Sequence, residues 1–244
     1  MDEEINALCN DTENLTISKS HLPRDENITN ICDLCKLFEN KVVDVKALFS
    51  FDNETTILSD CNAVGNILEE VFCDRFKARI PGFTKGPKQA SPDFFTSNGK
   101  FEYELKAFTK SPGFDIGNYN NFIKQLNEHN GVERKLFKTK YLVFEYEITS
   151  DGRIYIKKFH CLNIWDIVEY NNKYPISIQN KVNYWCNIRP SKVIGWTDKS
   201  KTPRMFIEGI IESLDKTPKR IKDKCLISDN ICQQFNSLEN KYLF

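Results

Sequence analysis

From Phe101 to Phe108 the chain alternates, with Phe101, Tyr103, Leu105 and Ala107 interleaved with Glu102, Glu104 and Lys106. Successive side chains of a β-strand point to opposite faces, so this stretch predicts a strand with one apolar face and one ionisable face. Ser97-Asn98-Gly99-Lys100 has the composition of a turn. Before it, a loop rich in Gly, Pro and Lys (residues 80–92) leads into a short strand at 93–95. The two strands are therefore expected to pair as a hairpin.

The surrounding pattern alternates helix and strand. Val64, Ile67, Leu68, Val71, Phe72 and Phe76 recur at helical spacing, with Asp60 or Asn62 as candidate caps. Residues 31–49 suggest one or two helices, on Leu34, Leu37, Val42, Val43, Val45, Leu48 and Phe49. Helices are also expected at 118–128, 162–170 and 205–214. A second hairpin is expected where strands 141–148 and 153–159 flank Ser150-Asp151-Gly152, and residues 188–196 read as a basic strand or loop. The expectation is a single α/β domain of 244 residues: a polar N-terminal helical or arm region (1–60), a core (61–170) and a C-terminal region (171–244).

Composition excludes less than it first suggests. Lys+Arg and Asp+Glu both number 34, yet residues 1–60 carry 13 acidic against 5 basic groups, and residues 189–224 carry 10 basic against 5 acidic. Zero net charge therefore does not argue against a polyanionic partner. No secretory signal or membrane-length apolar run is seen, which predicts a cytoplasmic protein. Nine scattered cysteines fit free thiols, and the one Cys-x-x-Cys pair, Cys32 and Cys35, lacks partners at zinc-ligand spacing. The three histidines are isolated and no phosphate-binding Gly-rich Lys loop is present, so neither a His-metal site nor a nucleotide cofactor is expected.

On the ionisable face, Glu104 and Lys106 share a side, and Asp93 lies 11 positions before Glu104 across the turn. Two carboxylates meeting this way form a hard oxygen site suited to Mg²⁺. A metal held there polarises a phosphodiester and acidifies a bound water, while Lys106 orients that water or offsets charge on the phosphate. Glu102, on the same face, is an auxiliary ligand or a strand-edge carboxylate. The bland alternative for the whole set is an exposed hairpin with alternating charges.

Pro92-Asp93 followed by Glu104-Leu105-Lys106 resembles the signature of the PD-(D/E)XK nuclease superfamily, best populated by type II restriction endonucleases. The resemblance covers residues 65–108 and implies a restriction-endonuclease-like core, a mixed β-sheet flanked by helices. It further implies Asp93 and Glu104 as metal ligands, the backbone carbonyl of Leu105 as another, and Lys106 as the catalytic lysine. An acidic residue on the preceding helix, within Gly-x-x-x-Glu, often joins such sites, and Gly65 to Glu69 matches. Helical phasing favours Glu69, which flanks the apolar stripe, over Glu70, which lies nearly opposite it; the alternative is a solvated pair of glutamates.

DNA contacts are expected from Lys85 and Lys88 beside the site. Asn187, Arg189 and Lys192, between Trp185 and Trp196, suit phosphate contact and base readout or, alternatively, an ordinary surface strand. Lys219 and Arg220, in the basic run 216–224, suit a backbone clamp or a solvated tail. Together these features predict a Mg²⁺-dependent, sequence-specific endonuclease acting on double-stranded DNA as a homodimer, with no membrane association. A non-specific repair or defence nuclease on the same core, or a DNA-binding protein without activity, are the alternatives.

Overall fold

The computed structural model describes residues 31–46, 48–51, 54–57, 61–87, 91–96, 100–170, 175–181, 184–216 and 221–242. The expected N-terminal arm, the cap at Asp60 and the centre of the turn at 97–99 lie outside them.

The apolar pattern of residues 31–49 resolves into more than helices. Helix α1 (Ile31–Lys36) buries Ile31, Leu34 and Cys35, but strand β1 (Lys41–Lys46) follows, then a hairpin of β2 (Leu48–Phe51) and β3 (Glu54–Ile57). Val42, Val43 and Val45 are β-branched, and pairing with a distant strand outweighs the weak helical spacing. Helix α2 (Cys61–Lys77) is as expected and buries Val64, Leu68, Val71, Phe72 and Phe76; Asn62 lies inside it and is not its cap.

The central hairpin also forms as expected. After the two-residue strand β4 (Thr84–Lys85), β5 (Phe94–Thr96) pairs antiparallel with β6 (Phe101–Phe108). A two-residue strand β7 (Gly117–Asn118) leads into helix α3 (Tyr119–Asn127), capped by the Asn118 side chain accepting from the Asn121 amide at 3.1 Å. A π-helical turn (Glu133–Lys138) then delivers the chain to β8 (Thr139–Ile148), which runs parallel to β6 with Glu102 opposite Thr139. The second expected hairpin follows, β8 pairing antiparallel with β9 (Arg153–Leu162) across a turn in which Gly152 adopts a φ of 79°. The sheet is mixed, in the order β1-β9-β8-β6-β5-β4.

Alternation along the central strands divides two apolar clusters. Tyr103, Leu105, Leu142, Phe144 and Tyr146 face α1 and α2, whereas Phe108, Tyr141 and Val143 face the C-terminal helices. The expected helix at 162–170 is a single turn, α4 (Ile164–Ile167), which starts at an Asn163/Asp166 capping box and ends where Val168 bridges to Pro190. Strands β10 (Ile178–Lys181) and β11 (Tyr184–Ile188) form a small sheet with β7, and Val193–Thr197 is a 3₁₀ turn that buries Trp196. Helix α5 (Pro203–Asp215) matches the expectation at 205–214. Lys222 and Lys224, at the end of the basic run, lie not in a tail but in a long helix, α6 (Ile221–Tyr242), whose Ile231 and Phe235 enter the second cluster.

The cysteine expectation requires correction. Cys32 on α1 and Cys161 on β9 are joined as a disulfide across 129 positions, because the fold lays α1 against β9. Spacing along the chain carries no sign of that approach. Cys35, Cys73, Cys225 and Cys232 are free.

Candidate active site

The β5–β6 hairpin brings the expected pair together. The Asp93 amide donates to the Tyr103 carbonyl at 3.0 Å, which sets the register, and the Leu105 amide donates to Asp93 Oδ2 at 2.6 Å. The carboxyl of Asp93 thus lies against β6 beside Glu104. Burial first, and the neighbouring Glu104 second, push the Asp93 carboxyl from 3.8 up to about 7, against the opposing pull of Lys106 and the Leu105 amide. Lys106 Nζ stands 3.7 Å from Glu104 Oε2, and the Glu104 side chain is only 7% exposed. A half-buried Asp93 and a buried Glu104, set side by side next to one cation, form an oxygen donor set that suits a divalent cation, which would relieve the cost of ionising Asp93. Among the described residues no group of three or more His, Cys, Asp and Glu is gathered for a metal, so further donors would come from backbone carbonyls, water or substrate.

A cleft of about 880 Å³ opens over this hairpin face. Glu69 and Glu70 both line it and share Lys85: Nζ is 3.5 Å from Glu69 Oε1 and hydrogen-bonded to Glu70 Oε1. Glu69 is the less exposed, 28% against 68%, and its charge reaches Asp93. Gly86 closes the loop onto the motif. Its amide donates to the Asp93 carbonyl at 2.7 Å, and a Cβ there would stand 1.8 Å from the Pro92 carbonyl oxygen. The Ser91–Pro92 peptide is cis.

Glu102 is not a strand-edge carboxylate in water. It is buried, accepts from Thr139 Oγ1 at 3.1 Å and lies 3.8 Å from both Arg134 Nε and Lys135 Nζ. Two further polar residues reach the site without having been picked out in the sequence. The Ser91 hydroxyl donates to Glu104 Oε1, and Lys135, with a side chain 3% exposed, donates to Ser91 Oγ at 2.8 Å. Ser91 sits in the motif's own loop, indistinguishable in sequence from a turn residue. Lys135 belongs to a π-helical turn, whose periodicity no 3.6-residue pattern captures.

Besides Lys85, the expected DNA contacts fall into three groups. Asn187 and Arg189 converge on Asp115 at the cleft wall: Asn187 Nδ2 donates to Oδ2 at 2.6 Å, and Arg189 pairs with Oδ1 and donates to the Gly113 carbonyl at 2.8 Å. Lys192 is exposed at the start of the 3₁₀ turn. Lys88, Lys219 and Arg220 lie outside the described residues, as does the side chain of Trp185.

A mixed sheet flanked by helices, with Asp93, Glu104 and Lys106 meeting on a hairpin at the floor of a cleft, defines a type II restriction endonuclease of the PD-(D/E)XK class. More particularly, the chain belongs to the NgoBV restriction endonuclease family, whose profile matches residues 29–243. It is 25% identical over 191 residues to the type II restriction enzyme NlaIV of Neisseria lactamica, covering 74% of this chain and 76% of that one. The solved NlaIV restriction endonuclease shares the fold, with a TM-score of 0.64 at 22% identity over 80% of this chain and 82% of that one. The protein is accordingly a site-specific deoxyribonuclease, and its family implies DNA as substrate and a divalent metal as cofactor. No helix among the described residues is long and apolar enough to cross a membrane.

Proposed function

We propose that this endonuclease cleaves double-stranded DNA in the cytoplasm with Mg²⁺ as its cofactor, by attack of water on the phosphodiester, as a homodimer on a short two-fold symmetric site. The observation that carries this reading is the convergence of Asp93 and Glu104 with Lys106 at 3.7 Å. Asp93, Glu104 and the Leu105 carbonyl would hold the cation, which when bound polarises the phosphate and acidifies a water. Lys106 orients that water and offsets charge on the scissile phosphate, while its ion pair with Glu104 keeps the ammonium in place. Glu69, less exposed than its neighbour and electrically coupled to Asp93, supports the same site from α2.

Residues 171–244 contribute DNA contacts to the catalytic core within one domain. Lys85 and Lys88 serve the phosphates near the cut, and Lys192, Lys219 and Arg220 serve the backbone. Asn187 and Arg189, pre-oriented by Asp115, reach for base edges. Two-fold protein symmetry would match two-fold DNA symmetry.

Incubation of plasmid DNA with the protein and Mg²⁺ should yield discrete fragments, and Lys106→Ala should abolish cutting while leaving DNA affinity intact. A smear, or cutting undiminished by a metal chelator, would contradict the reading.

A further inference from the structure

A second lysine reaches the candidate site from an element that the Pro-Asp and Glu-x-Lys motif does not include. The parallel pairing of β6 and β8 sets Thr139 opposite Glu102, so the π-helical turn just before Thr139 lies over the ionisable face of β6. That turn buries Lys135 with its Nζ 2.8 Å from Ser91 Oγ and 3.8 Å from Glu102 Oε2. An ammonium has only hydrogens to offer, so the Ser91 oxygen must accept from it; the serine's own hydrogen is then directed to Glu104 Oε1. The other oxygen of Glu104 faces Lys106. Each oxygen of one carboxylate is thereby addressed by a different lysine, one directly and one through a hydroxyl.

We propose that Lys135 is a positioning residue for cleavage, holding the Glu104 carboxylate in its working orientation through the Ser91 hydroxyl. This rests on reading Glu104 as a metal-holding carboxylate. Burial of a lysine is costly, and here it pulls the ammonium's pKa below its ordinary value against the raising influence of Glu104 and Glu102. Misplacement of a reacting group by about 1 Å can cost on the order of 100-fold in rate, so a residue that never touches DNA can still govern the chemical step.

The test is a double-mutant cycle on single-turnover cleavage, with Ser91→Ala, Lys135→Met and the pair combined, alongside DNA affinity and thermal melts of each variant. Ser91→Ala should slow cleavage by about tenfold and Lys135→Met by about ten- to 100-fold, with the double variant no slower than Lys135→Met alone and DNA affinity unchanged within about twofold. A wild-type rate for Ser91→Ala, or multiplicative losses in the double variant, would overturn the proposal in favour of a simple counter-charge. Should Lys135→Met fail to fold, Ser91→Ala alone decides on the same criterion. Glu104→Ala separates the two layers: if it still cuts, the reading of the carboxylate fails, whereas if it is inactive and Ser91→Ala is not slowed, only the positioning role does.

Discussion

Asp93 is the residue at which fold and chemistry conflict most directly. Its carboxyl is raised from 3.8 to about 7, so ionising it costs more in the folded protein than in the unfolded chain. The sign follows: without a divalent cation, this group erodes stability as pH climbs from 3.8 through about 7, and a bound cation reverses the loss. Asp93→Asn keeps an acceptor for the Leu105 amide but removes the charge. In differential scanning calorimetry at pH 8, its metal-free Tm should exceed wild type by a few degrees, at about 2–4 °C per kcal/mol for a chain of this size, and Mg²⁺ should no longer raise it. Strand alternation and one turn were enough to predict Asp93, Glu104 and Lys106 as neighbours. Ser91 and Lys135 were invisible because their roles depend on a contact 44 positions apart, set by the pairing of β6 with β8.

At the scale of elements, two joints deserve experiments. Gly86 lets the β4 loop pass over Pro92 with no room for a side chain, so Gly86→Ala must displace the loop or the Asp93 backbone. Cleavage should fall by up to about 100-fold in a single-turnover assay, with a far smaller change in DNA affinity. The second joint is the end of α6, where Lys241 Nζ lies 2.8 Å from Glu133 Oε1 and the Tyr242 hydroxyl donates to the same oxygen. Those bonds, with Lys138 at 3.1 Å, hold the Glu133 carboxyl down from 4.5 to about 2. Its contribution is complete above 4.5 and is lost as pH falls towards 2. Glu133→Gln should flatten the decline of Tm between pH 6 and pH 3, modestly, because Lys241 is largely exposed. The amphipathic stripe of α2 was legible residue by residue, whereas α6 was not. Its buried Ile231 and Phe235 are spaced among polar residues, and the basic run at its start masked the pattern. Likewise the apolar spacing of β1 alone suggests a helix, because its partner, β9, lies more than 100 residues away.

For the whole molecule, the mixed sheet with helices on both sides was foreseeable from the succession of patterns. Its strand order and the Cys32–Cys161 link were not, since both depend on which distant segments meet. The proposed homodimer has a direct check: analytical ultracentrifugation with and without cognate DNA should give a species of twice the 28.5 kDa chain mass, and a monomer in both would oppose it. Strand β6 is gripped from both sides, with Tyr103 and Leu105 in one apolar cluster and Phe108 in the other, between neighbours β5 and β8. A strand so held behaves as a rail rather than a hinge, and Asp93 travels with it through the Leu105 amide. The Lys85–Gly86 loop is tied to the same rail through the Gly86 amide, so a duplex entering the cleft meets a cutting edge that is already set.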